Sequence, residues 1–375
     1  ALAGNWAFIP SHNYRGHAIM ANAALDDKVK AKGESRPYAP SWLDRLNSWL
    51  SRLPGPSWAY YLGIWLVLVL LQIAALWGEG AYPAGTFLPN HTAIAGLIPF
   101  LLALSLFLDN KAGTALATLR PAMKASEEEY RHLRYQLTTL PARPTLLVSL
   151  IGVASMVLLN VALDSFSDFS GLGAFPISRT LIYLIYVGAW WVVAAFLYHT
   201  VHQLRTINFI YTRHTQVNLF KMRPLYGLSG LTALTGVSLT LITYGWMAIN
   251  PELWGDLISM AIVLPITVLA FAAFIWPLLG IHRLLEEGKG RLLDECSLRI
   301  EAAIAELHRR VDSKGLEGMD DLNKTISSLE IERNLLEGIP TWPWRSETVR
   351  LLITALALPL GLWFIQYVLQ RLMGP

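Results

Sequence analysis

Apolar and polar residues separate into long blocks along this chain rather than alternating with a short period. Seven apolar stretches stand out: Trp58–Gly78, Thr92–Leu108, Thr145–Leu163, Thr180–Leu197, Tyr226–Ile249, Leu257–Ile281 and Val349–Leu369. The first six hold no Asp, Glu, Lys or Arg, and the seventh only Arg350 at its start. At 1.5 Å per residue each is long enough, or nearly so, to cross about 30 Å of hydrocarbon. The pattern predicts an all-α, polytopic membrane protein with seven transmembrane helices.

The polar blocks between them carry their own periodicity. Ser41–Leu53 places Trp42, Leu43, Leu46, Trp49, Leu50 and Leu53 on one helical face and Asp44, Arg45, Asn47, Ser48 and Arg52 on the other. Ser41 can cap this helix, and Pro54-Gly55-Pro56 ends it. Such a helix lies in the inner leaflet interface or packs on the protein's own inner helices. Residues 1–40 show little apolar periodicity, and no cleavable signal peptide is expected there. In the segment 282–344, Leu293, Cys296, Ile300, Ala303, Leu307 and Arg310 recur at steps of three and four. After Gly315 and Gly318 the same steps join Met319, Leu322, Ile326 and Leu329. Two amphipathic helices around a glycine turn predict an antiparallel hairpin, with Leu293, Ile300, Leu307, Leu322 and Leu329 at its interface. Four parts follow: an N-terminal segment 1–57, six spans within 58–281 with connections 109–144 and 198–225, the hairpin 282–344, and a seventh span with the C-terminal end in 345–375.

Charge orients the blocks. All Lys and Arg except Arg179 and Arg371 fall in the N-terminal segment and in the second-to-third, fourth-to-fifth and sixth-to-seventh connections, with Arg350 at the edge of the seventh stretch counted in the last. By the positive-inside rule these are cytoplasmic, which puts the N-terminus inside, the C-terminus outside and the hairpin in the cytoplasm. Tryptophans mark the expected boundaries: Trp58 and Trp77 bracket the first span, Trp246 and Trp254 flank an outer turn, and Trp276, Trp342 and Trp344 lie at the inner face. The composition, 54% hydrophobic and 15% charged, falls well short of the quarter charged residues usual in soluble domains. Cys296 is the only cysteine, so no intrachain disulfide can form.

Candidate chemistry is sparse. The chain lacks GxxxxGK[ST], GxGxxG after a strand, HExxH, CxxC and GxSxG, so no enzyme activity, cofactor or nucleic-acid partner is expected. His199 and His202 stand one helical turn apart, but no carboxylate or cysteine joins them at ligand spacing, so no metal site is expected. No span carries an ionisable residue near its middle, which argues against proton pumping, ion coupling and haem ligation within the spans. The most patterned span is the fifth, where Ser229, Thr232, Gly236, Thr240 and Thr243 share one face. Small hydroxylated residues either let helices approach closely or line a water-filled path. In the seventh span Pro359 and Gly361 suggest a kink, and Gln366 and Gln370 require partners or water.

The stretches Leu133–Arg143, Arg223–Ala233 and Ile339–Arg345 resemble parts of a bacterial multi-pass membrane protein family that carries no assigned activity. The resemblance implies a bacterial plasma (inner) membrane location and no site residues. Two functions fit these readings. One is an oligomeric channel or permeation pathway for a small solute, drawn from the hydroxyl stripe and Gln366. The other is a non-enzymatic anchor, sensor or complex subunit, which binds a cytoplasmic protein partner through the hairpin. The lipid bilayer, further copies of the chain or other membrane subunits are the partners expected in either case.

Overall fold

The computed structural model describes residues 37–162, 174–250, 272–314 and 317–344, with residues 172, 268, 270, 347, 349, 350, 353, 354 and 361. Contacts divide the chain into residues 1–39 and 40–375, and every helix described belongs to the second unit. Those helices are α1 (Trp42–Arg52), α2 (Ser57–Gly78), α3 (Pro89–Leu119), α4 (Glu127–Thr138), α5 (Ala142–Ala162), α6 (Pro176–His214), α7 (Tyr226–Ile249), α8 (Leu279–Asp312) and α9 (Met319–Glu337). Short 3-10 turns sit at Arg120–Ala122, Arg223–Leu225 and Trp276–Leu278, each with a proline second. The described residues form no strand beyond two isolated bridges.

Four helices are long and apolar enough to cross a membrane: Ser57–Gly78, Pro89–Ala122, Pro176–His214 and Arg223–Ile249. They match the first, second, fourth and fifth expected spans, while the third expected span falls on α5, which is apolar over Ala142–Leu158. The sixth and seventh fall largely outside the described residues. Two helices run well past their apolar cores. α6 has 39 residues, about 58 Å at 1.5 Å per residue. Between Thr180 and His214 nothing breaks it: no proline occurs, and Gly188 is the only glycine. α3 likewise continues from Leu108 to Leu119 and stops just before Pro121.

The outward faces are what a lipid environment demands. Leu62, Leu66, Val67, Leu70 and Leu71 on α2, and Leu146, Leu147, Leu150, Ile151, Leu158 and Val161 on α5, are exposed. Apolar surface of that extent marks a face made for an apolar medium. The interior lies between α3, α6 and α7, where Leu108, Leu116, Leu119, Ile207, Tyr211 and Leu228 are buried completely. Close approach matters most between α5 and α6. A Cβ built on Gly152 would stand 2.3 Å from the Ala194 Cβ and 3.4 Å from the Trp190 carbonyl oxygen, so only glycine fits there.

α1 is docked on the protein, the second of the two placements its pattern allows. Ser41 and Asp44 form a capping box, and Ser41 N–H also donates to the Leu140 carbonyl at 3.0 Å. Leu43 and Leu50 are buried, while Trp49 is exposed. Asn47 belongs to the buried side, not to the polar face expected of it. Its amide donates to the Leu102 carbonyl at 3.0 Å and accepts from the Tyr61 hydroxyl at 3.0 Å. The spacing explains this, because positions 43, 47 and 50 line up one helical turn apart.

The loops after α3 and α6 clasp one another. Lys124 N–H donates to the His214 carbonyl at 2.8 Å, and Gln216 N–H to the Ala122 carbonyl at 2.7 Å. At the opposite end of α6, both Glu79 oxygens accept N–H groups of its first turn, from Ile177 at 3.0 Å and Ser178 at 2.7 Å. Burial would raise the Glu79 pKa, but these N–H donors hold it below the ordinary carboxylate range.

α8 and α9 meet through Cys296 with the Leu329 carbonyl and Arg299 with Glu332. Lys289 bridges the Glu337 and Ile339 carbonyls at 2.7 and 2.9 Å. Where the chain leaves α9, four rings stack in sequence: Phe274, Trp344, Trp342 and His282, with centroid separations of 5.4, 4.3 and 3.8 Å. Trp342 and Trp344, expected as interface anchors, therefore serve each other as packing partners.

Candidate functional site: an ionisable cluster where four helices meet

The α7 stripe is buried. Ser229, Thr232, Thr240 and Thr243 are at most 8% exposed, and Gly236 is buried beside them. Each hydroxyl donates within its own helix: Ser229 to Tyr226, Thr232 to Ser229, Thr240 to Gly236 and Thr243 to Leu239, at 2.9–3.1 Å. Thr235 and Ser238, on the same helix, do likewise. Gln366 lies outside the described residues. The five hairpin positions, Leu293, Ile300, Leu307, Leu322 and Leu329, are half-buried, with Cys296 and Ala303 buried between them.

The residues that do converge were not singled out as a group by sequence. Just past the apolar core of α3, Asp109 accepts from or shares a proton with His199 on α6, Oδ1 to Nε2 at 2.8 Å. The side chains are 14% and 3% exposed. Gln203, one turn further along α6, directs its amide at the same carboxylate and at the Leu137 carbonyl, each at 3.5 Å. His202 Nε2 meets the Gln136 carbonyl at 3.0 Å. The fourth helix to contribute is α1, through Asp44. Its Oδ2 accepts the Ser41 N–H at 3.0 Å, the Ser41 hydroxyl at 2.7 Å and the Leu140 N–H at 2.9 Å. Burial first, and then the charge of Asp109, push the Asp44 carboxyl up to about 6.

Several polar atoms in this region have no partner among the described residues: His199 Nδ1, Thr200 Oγ1, Gln203 Oε1 and Trp42 Nε1. The cluster is thus richer in hydrogen-bonding capacity than in partners, which is expensive in a buried setting and characteristic of a functional position. It is poor in metal-ligating chemistry, and no group of three His, Cys, Asp or Glu among the described residues could hold a metal ion. The available signal was helical register. His199, Gln203, Thr206 and Ile210 extend the buried row set by Val192 and Ala195, so their side chains had to face inward.

All-helical architecture, four helices long enough to span a bilayer and broad exposed apolar faces are the features of a membrane protein. The chain matches no protein-family model, no curated protein and no solved structure.

Proposed function

We propose that the protein is a non-enzymatic membrane anchor or complex subunit with seven spans, its N-terminus in the cytoplasm, holding the α8–α9 hairpin there for a protein partner. The observation that supports this over a permeation pathway is the state of the α7 stripe. A path for a small solute needs hydroxyls free to replace the solute's water. Those of Ser229, Thr232, Thr240 and Thr243 already donate to backbone carbonyls and lie buried against neighbouring helices. Hydroxyl side chains so disposed serve close packing in a bilayer. The hairpin reading draws on the pairing of residue 289 with 337 and 339 and of 296 with 329, partners that fall in one helix as they rise in the other. The orientation rests on the bias of Lys and Arg toward one set of connections.

Topology is tested in a Cys296→Ser background with a membrane-impermeant thiol reagent. Ser170→Cys and Pro375→Cys are expected to react in intact cells, and Ser313→Cys only after permeabilisation. Reaction of Ser313→Cys in sealed cells would place the hairpin outside and sink the reading.

A further inference from the structure

We propose that α1, docked on the bundle, presents a binding surface for anionic phospholipid headgroups, formed by Arg45, Trp49 and Arg52 with Arg143 at the start of α5. Docking occupies one side of the helix. Leu43, Asn47 and Leu50 are buried there, and Trp42, Leu46 and Leu53 pack beside them against the core. Arg45, Ser48, Trp49 and Arg52 lie on the opposite side, within an arc of about 100° at 3.6 residues per turn. All four are exposed. The helix can therefore stay fixed to the protein by one face and meet the surroundings with the other.

The surroundings on that side are faces made for lipid. α1 touches α2, α3 and α5. On α2 an exposed row runs from Trp58 through Leu62 and Leu66. On α5 the corresponding row starts at Arg143 and continues through Leu146, Leu147 and Leu150. Both rows begin at the end of their helix where α1 lies, which is where headgroups meet hydrocarbon. The bridge between Pro40 and Pro141, with the 3.0 Å bond from Ser41 N–H to the Leu140 carbonyl, sets the start of α1 beside the start of α5. Arg45 is steadied at that bridge. Its Nε donates to the Pro40 carbonyl at 3.1 Å, and its two terminal nitrogens remain for a further acceptor.

Charge selects the occupant. Asp44 is the only acidic residue within 40–62 and 139–162, and its Oδ2 is taken up by Ser41 and the Leu140 N–H. Arg45, Arg52 and Arg143 form no ion pair among the described residues. A guanidinium offers paired N–H donors that match phosphate oxygens, and an indole settles at headgroup level. Unpaired guanidiniums around an exposed indole, above two apolar faces, complement a lipid phosphate with net negative charge. The proposal needs the bundle to sit in a bilayer, but neither the anchor reading nor the orientation given above.

The test reads lipid preference at α1 itself. A fluorophore is attached to Ser48→Cys in a Cys296→Ser background, and the full chain is reconstituted into phosphatidylcholine vesicles. Quenching is compared for acyl-chain spin-labelled phosphatidylglycerol and phosphatidylcholine, present in both leaflets so that orientation does not matter. A basic residue near an anionic surface is worth about fivefold, and several acting together predict a preference for phosphatidylglycerol of about tenfold or more. The preference is expected to shrink in molar salt, which needs no variant. It is expected to fall close to one in Arg45→Gln/Arg52→Gln/Arg143→Gln and to survive in the matching Lys variant. Removing as much charge from the hairpin, by Arg309→Gln/Lys324→Gln/Arg333→Gln, is expected to leave it unchanged. Equal quenching by the two lipids at Ser48→Cys would overturn the proposal. So would a preference indifferent to salt, one retained by the α1–α5 Gln variant, or one lost equally with the hairpin charges.

Discussion

Gly152→Leu is expected to unfold or misassemble the helical bundle, whereas Gly63→Leu is expected to leave it intact. At Gly152 the first atom of any side chain already collides with Ala194, at 2.3 Å, and its neighbour on that side is the Trp190 backbone. Neither can swing away, because Ala194 has no rotamer to change and the Trp190 carbonyl is backbone in the middle of α6. Relief requires α5 and α6 to separate, which opens the seam along much of their length. Overpacking in a tight core costs about 1–3 kcal/mol, and a leucine held between two backbones belongs at or beyond the top of that range. At Gly63 a Cβ meets nothing within 4 Å, so the same change there adds only outward apolar surface. Unfolding midpoints in one detergent, with size-exclusion profiles, compare the two. A Gly152→Leu protein that is monodisperse and melts with the native chain would show that α5 and α6 do not pack as described.

Asp109→Leu should destabilise severely, and the added change His199→Leu should restore most of the loss. Removing one member of a buried charged pair leaves the other without its counter-charge, at a cost of about 3–5 kcal/mol, while replacing both with apolar residues is often neutral or better. His199 is 2% exposed, and its Nδ1 has no partner among the described residues, so the carboxylate is the counter-charge it depends on. Loss of Asp109 also lifts its charge from Asp44, which offsets a part of the damage and makes the double variant favourable. Equal stability of Asp109→Leu and the native chain would mean that the pair contributes nothing. A double variant no better than the single would mean that the two residues act independently.

The long apolar runs were legible because burial in lipid demands a whole block of apolar residues, and a block survives any uncertainty about its neighbours. α2, α3, α6 and α7 follow directly from such runs. The extensions of α3 and α6 were not legible, because the search for apolar stretches stops where the first polar residue appears. Asp109 follows Leu108 immediately, and His199 comes two residues after Leu197, so both sat at edges that read as surface. Register would have recovered His199, since it continues the inward row of α6. That Asp109 meets it, and that Asp44 joins them from an amphipathic helix 65 residues earlier in the chain, depends on tertiary packing that no local pattern encodes. Asn47 is a local miss of another kind: its polarity suggested the wet face, whereas its spacing from Leu43 and Leu50 set it on the buried one. Gly152 carried no signal at all, because a glycine in an apolar run is unremarkable until its partner helix is known. In α7 the spacing puts the five residues on one face, and that face has two possible uses. The hydroxyl bonds to Tyr226, Ser229, Gly236 and Leu239 are what weigh toward packing.

Flux through the purified protein is the most direct test of whether that bundle is solid. The native chain, Thr240→Val and Gly236→Leu are reconstituted into sealed vesicles and assayed across a panel of ions and small neutral solutes. The result expected is no flux above protein-free vesicles for any of the three. Thr240→Val should lose only about 0.6 kcal/mol of stability for its missing hydroxyl bond, and Gly236→Leu about 1–3 kcal/mol from overpacking. A saturable flux through the native chain that Gly236→Leu abolishes while the protein remains folded, and that Thr240→Val alters in selectivity, would contradict the anchor reading and make the α7 stripe the wall of a pathway.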